Sequence, residues 1–130
     1  MLYSRYGNVE IKNRHKYLLQ YHIIFVCKYR KKLLMSKQIS DDIKQFSYEI
    51  CQKHKVIIRY METDKDHIHY MIATEPTMSI SKIVNLMKSY TTYHIWKRYP
   101  DYLRNISGKN ILFGRTDILS AVQEMYQKRC

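Results

Sequence analysis

His67-Ile68-His69 is the tripeptide whose residue types and spacing point most directly to chemistry. Side chains alternate along a strand, so positions 67 and 69 project from one face, with Cα atoms roughly 6.5–7 Å apart. Two neutral imidazoles at that span can converge on one first-row divalent cation. Two protein ligands leave positions open for a substrate oxygen, as a catalytic metal requires. The bland alternative is two ordinary polar residues on a solvated sheet face. Asp64 and Asp66, just before the pair, fit turn chemistry and could also ligate or orient a histidine.

A second group of residues suggests a polyanion. Lys28, Arg30, Lys31 and Lys32 cluster around Tyr29, and Lys plus Arg outnumber Asp plus Glu by 23 to 11, a formal charge of +12. On a compact domain that excess favours phosphate contacts over a merely solvated surface. Lys88 is expected to join the patch, with Lys82, Lys97, Arg98 and Arg104 extending it. Thirteen tyrosines offer stacking surfaces for unpaired bases, although many must serve the core. His22 and His94 lie in apolar stretches and read as core histidines.

The elements that must position these groups follow from periodicity. Residues 17–27 are aromatic and β-branched and read as a strand. Residues 39–54 read as a helix, with Ile39, Ile43, Phe46 and Ile50 in one stripe and Asp41 and Asp42 in its first turn. Residues 56–61 and 67–74 form the two arms of a hairpin around Thr63-Asp64-Lys65-Asp66. Ser79 or Ser81 caps a second helix that runs to Arg98, with Pro100 ending it. A closing strand near 111–122 completes β-α-β-β-α-β, an α+β ferredoxin-like antiparallel sheet with helices on one face. Residues 3–16 read as a polar arm with a turn at Gly7-Asn8.

One domain over residues 1–130 accommodates all of this. A 45% hydrophobic content with 3 Gly and 2 Pro excludes disordered and collagen-like chains. The longest apolar run, Ile23 to Cys27, is far too short for a membrane span. No signal-peptide pattern opens the chain, and three cysteines without CxxC spacing suit a reduced, cytoplasmic protein. Phosphate-loop, nucleophile-elbow and zinc-finger patterns are absent.

Three segments together resemble the HUH single-tyrosine transposases of the insertion-sequence 200/605 family. They are Tyr21 to Lys32, then Thr63 to His69, then Leu86-Met87-Lys88-Ser89 with Trp96-Lys97-Arg98-Tyr99-Pro100. The resemblance spans roughly residues 15–112. It implies a ferredoxin-like fold, a homodimer, and single-stranded DNA recognised through a hairpin at transposon ends. It also implies that His67 and His69 hold Mg²⁺ or Mn²⁺, which polarises the scissile phosphate. A tyrosine on a late helix would attack it, giving a 5′-phosphotyrosine and a free 3′-OH.

The resemblance fails at the end of the chain. The family pattern sets a helical tyrosine four residues before a glutamine that completes the metal site. Tyr126 is the sole tyrosine in the last 28 residues and the one nearby nucleophile candidate, yet Cys130 stands four positions later. Reading codons from the third base of Phe113 permits WSDGYFVCSAGDVSKEV, which is similar to the family's last strand and the start of its tyrosine helix. Residues from about 113 to 130 are therefore expected to be a frameshifted, atypical tail. The nucleophile would lie beyond a premature stop, and cleavage would be impaired. Two other classes compete: a non-enzymatic RNA-binding module of the same plan, and a metal-dependent nuclease using water, with Asp66 or Glu62 as a third ligand.

Overall fold

A computed structural model describes residues 15–106 and 111–127, with side chains over 18–106 and 111–119. Residues 3–14 of the expected polar arm, with its Gly7-Asn8 turn, and Cys130 lie outside the described residues, whereas His15 and Lys16, read as the end of that arm, belong to the first strand. The first strand, β1, runs His15–Cys27. Its residues alternate in burial: Ile23 and Phe25 are fully buried, whereas His22 and Ile24 are half-buried. That alternation assigns the two sets to opposite faces of the sheet.

Helix α1, Lys37–Lys53, begins two residues before the sequence-expected start, capped by Ser36, whose Oγ accepts from the Ile39 N–H at 3.2 Å. Asp41 and Asp42 therefore fall in its second turn. Ile39, Ile43, Phe46 and Ile50 form its buried stripe as expected. Strand β2, Ile57–Asp64, and strand β3, His67–Thr74, form the hairpin, so Thr63 and Asp64 belong to the ladder and the turn shrinks to Lys65-Asp66. Helix α2, Ile80–Arg98, is capped by Ser79, whose Oγ accepts from the Lys82 N–H. Pro100 does more than stop α2: it opens a short helix, α3, Pro100–Ile106. Proline suits that first-turn position because its missing N–H has no helical partner there.

Strand β4, Phe113–Gln127, pairs antiparallel with β1 over almost its whole length. The stretch read as an atypical tail thus completes the sheet. Sheet order is β2-β3-β1-β4, all antiparallel, the ferredoxin-like arrangement expected. Ile23, Phe25, Ile68, Tyr70 and Ile72 from the sheet join Ile43, Phe46, Ile83, Met87 and Ile95 from α1 and α2 in one core. Each such side chain contributes on the order of 1.5–3 kcal/mol by leaving water. Burying this set on one face leaves β3's His67, His69 and Met71 on the other.

Candidate functional site

His67 and His69 lie on the sheet face opposite the helices because Ile68, Tyr70 and Ile72, in the alternate phase, are fully buried in the core. The register sets His67 between Val26 and Asp64, and His69 between Ile24 and Glu62. The expected common face for the two histidines follows directly.

His67 is oriented by its neighbour. Its Nδ1 lies 3.0 Å from Asp66 Oδ1, and the carboxylate's other oxygen lies 3.2 Å from Arg30 Nε. The His67 hydrogen bond, with the Arg30 charge adding to it, holds the Asp66 carboxyl below its ordinary pKa. An ionised Asp66 accepts from Nδ1–H, which leaves the lone pair of His67 on Nε2. This is the carboxylate–imidazole arrangement that commonly orients a metal-ligating histidine.

His69 has a partner that the sequence reading missed. Its Nε2 is 3.1 Å from Nδ1 of His22, the two ring centroids being 5.2 Å apart. His22 is therefore not a core residue: it is half-buried on the histidine face of β1. Its apolar neighbours disguised it, yet its period-two phase with Ile24 and against Ile23 was visible in the sequence. Burial, and secondarily the charge of His22, depress the His69 pKa, favouring the neutral ring. Tyr60 packs edge-on against His69 at 5.6 Å and donates its hydroxyl to Glu62.

These donors fit a divalent cation at the level of two imidazoles, one tautomerically fixed and one kept neutral. Among the described residues no group of three or more His, Cys, Asp or Glu is arranged to hold a metal ion. Asp66 is occupied by His67 and Arg30, and Glu62 by Tyr60.

The basic cluster stands beside this pair. The Cys27 N–H donates to Asp66 O at 2.8 Å and the Leu34 N–H to Lys65 O at 3.0 Å, so residues 28–34 wrap the hairpin turn that carries His67. Tyr29 and Arg30 adopt left-handed backbone, φ 57° and 52°. Each costs about 1 kcal/mol or more in a non-glycine residue, and the Arg30–Asp66 ion pair helps hold the conformation. Lys31 and Lys32 complete the loop, and Lys28 lies 5.1 Å from the Tyr29 ring centroid. Lys88 is placed elsewhere. Its ammonium donates to Thr116 Oγ1 at 2.9 Å on the helix-covered side, where burial lowers its pKa. His94, also read as a core histidine, is only half-buried, beside the rings of Phe46, Tyr90 and Tyr93.

Tyr126 is not brought to the histidines within this chain. Its backbone lies in β4 opposite Lys16, whereas His69 lies opposite Ile24. Eight residues of β1 separate those positions (24 − 16), about 26 Å at strand rise. The Tyr126 side chain is outside the described residues.

Residues 15–128 match the family described as Transposase IS200 like. The chain is 26% identical over 95 residues to the ISDra2 transposase TnpA of Deinococcus radiodurans, covering 73% of this chain and 67% of that protein. It is 26% identical over 82 residues to the transposase of insertion sequence IS200 from Salmonella typhimurium, covering 63% of this chain and 53% of that one. The matched part thus spans about half the length of the Salmonella protein. The fold is similar to a crystal structure described as a Deinococcus radiodurans transposase, at TM-score 0.73 and 21% identity, covering 81% of this chain and 80% of that one. It is also similar to a REP-associated tyrosine transposase bound to a REP hairpin, at TM-score 0.59 and 11% identity, covering 80% and 56%. No helix among the described residues is long and apolar enough to cross a membrane.

Proposed function

This chain belongs to the IS200-like transposase family, and we propose that it binds single-stranded DNA folded as a hairpin at transposon ends, as a homodimer. The carrying observation is the chain of contacts Arg30–Asp66–His67, which ties the basic loop to the histidine pair. A phosphodiester seated on Lys28, Lys31 and Lys32 is then delivered to the face that carries His67 and His69. The Salmonella and Deinococcus relatives are transposases, and one structural neighbour holds a hairpin. Both support DNA as the partner.

His67 and His69 would hold Mg²⁺ or Mn²⁺. When bound, that cation polarises a phosphate oxygen and offsets charge developing on it. Asp66 fixes the His67 tautomer, His22 sets the His69 ring, and the loop cations place the strand by phosphate contact. Strand cleavage is impaired in this chain, because Tyr126 sits on a strand far along β1 from the histidines. Asp66 and Glu62 are both engaged, which weighs against a nuclease that uses one of them as third ligand. The outer edge of β4 and the exposed Ile118 and Leu119 support self-association.

The test is a labelled single-stranded hairpin carrying a transposon end, incubated with Mn²⁺. Anisotropy should report binding tighter than to a duplex of equal length, and a denaturing gel should show no covalent adduct. An adduct abolished by Tyr126→Phe would overturn the impairment. Equal affinity for hairpin and duplex would overturn the hairpin reading.

A further inference from the structure

A cleft of about 720 Å³ opens between α2, α3 and the start of β4, on the helix-covered side and away from the histidine face. Its size is that of small-ligand sites. Two of its walls are aromatic. Tyr93 is 60% exposed, and Trp96 is only 8% exposed. The Trp96 Nε1–H is buried and has no acceptor among the described residues. The rim is cationic. Lys97 sits over the Tyr93 ring at 5.6 Å from its centroid, and Arg104 is held by an exposed i,i+3 pair with Asp101. An exposed pair of that kind is weak and yields to a phosphate.

The exposed Tyr93 ring beside Trp96, with Lys88, Lys97 and Arg104 lining the same cleft, matches one ligand chemistry: an unpaired base joined to a phosphate. We infer that this cleft is a second nucleic-acid subsite. It takes one unpaired nucleotide of the bound strand, its base against Tyr93 and Trp96 and its phosphate between Lys97 and Arg104. The inference rests on DNA being the partner, and it gives the helix side of the domain a contact independent of the metal pair. A strand engaged there is held while another part of it meets the histidine face.

Trp96 is the single tryptophan of the chain, so its emission reports this cleft alone. Titrating the protein with a short oligothymidylate, with anisotropy of the labelled strand read in parallel, tests the site. The expected result is saturable quenching of Trp96 that tracks anisotropy. Tyr93→Ala or Lys97→Glu should shift both curves about tenfold or more to weaker binding. Tyr93 and Lys97 are exposed, so circular dichroism of these variants should match the parent. Four outcomes overturn the inference. They are strand binding with unchanged Trp96 emission, quenching indifferent to both variants, equal quenching by inorganic phosphate alone, and no response to the strand in either signal. Quenching that persists while the hairpin shows no preference over duplex would sink the hairpin reading and leave this subsite standing.

Discussion

His22 Nδ1 lies 3.1 Å from His69 Nε2, joining neighbouring strands on the face opposite the helices. A hydrogen bond between the two nitrogens lets His22 set the orientation of the His69 ring. Removing such a supporting imidazole typically weakens metal affinity 10–100-fold. His22→Ala should weaken Mn²⁺ binding by about that factor, read by calorimetry or by the electron paramagnetic resonance signal of free Mn²⁺. If the contact merely competed with the metal, affinity would rise instead.

Asp66 holds His67 on one oxygen and Arg30 on the other. Its carboxyl pKa is lowered in the folded protein, first by the His67 hydrogen bond and then by Arg30. A carboxyl depressed on folding contributes stability that is present above its unfolded pKa, near 3.9. That contribution is lost as pH falls through the folded value. Asp66→Asn should flatten this part of the acid-unfolding profile and lower hairpin affinity, since Arg30 loses the partner that holds its left-handed backbone. Thermal melts from pH 2 to 7 on both proteins check the first point, and hairpin anisotropy checks the second. Superimposable acid limbs would show that the pair adds no stability.

Much of this architecture was legible because its signals are local. The serines at 79 and 81 announced α2, of which Ser79 is the cap, the stripe Ile39-Ile43-Phe46-Ile50 announced α1, and the alternation around Ile68 set His67 and His69 on one face. What escaped depends on pairing between distant segments. The closing strand was expected near residues 111–122, and its run on to Gln127 is set by the ladder that β1 supplies. His22 was hidden by Ile23, Ile24 and Phe25, and its meeting with His69 is fixed only by the register of β1 against β3. Lys88 belonged to the basic set by composition alone, whereas the fold commits its ammonium to Thr116. Tyr126 was singled out by chemistry, and its register opposite Lys16 is what separates it from the histidine pair.

The core contains one polar contact whose loss should be measurable. The Tyr70 hydroxyl and Ser47 Oγ are 2.7 Å apart, and both residues are fully buried. Tyr70→Phe leaves the serine hydroxyl dry and unpartnered, which costs about 1–3 kcal/mol. Ser47→Ala should do the same to the tyrosine. The double variant should recover part of the loss, because neither orphan then remains. Urea unfolding should show lower midpoints with unchanged m-values in the single variants. Strictly additive losses would mean that the hydroxyls do not satisfy each other.

The buried thiols provide an independent probe of the same core. Burial pushes both Cys27 and Cys51 up to about 12. The thiolate is the nucleophile, so at pH 8 neither sulfur should react with iodoacetamide in the folded state. Labelling then requires opening of the core that both residues share with Tyr70. Where opening and closing are fast, the labelling rate tracks the population of the open form. Tyr70→Phe should therefore accelerate labelling of Cys27 and Cys51 together, about tenfold for each 1.4 kcal/mol lost. Mass mapping of the alkylated peptides reads each site separately. Acceleration at Cys51 alone would show that α1 opens without the sheet. Equal factors at both would mean that β1, which carries His22, and the helix beneath it open as one unit.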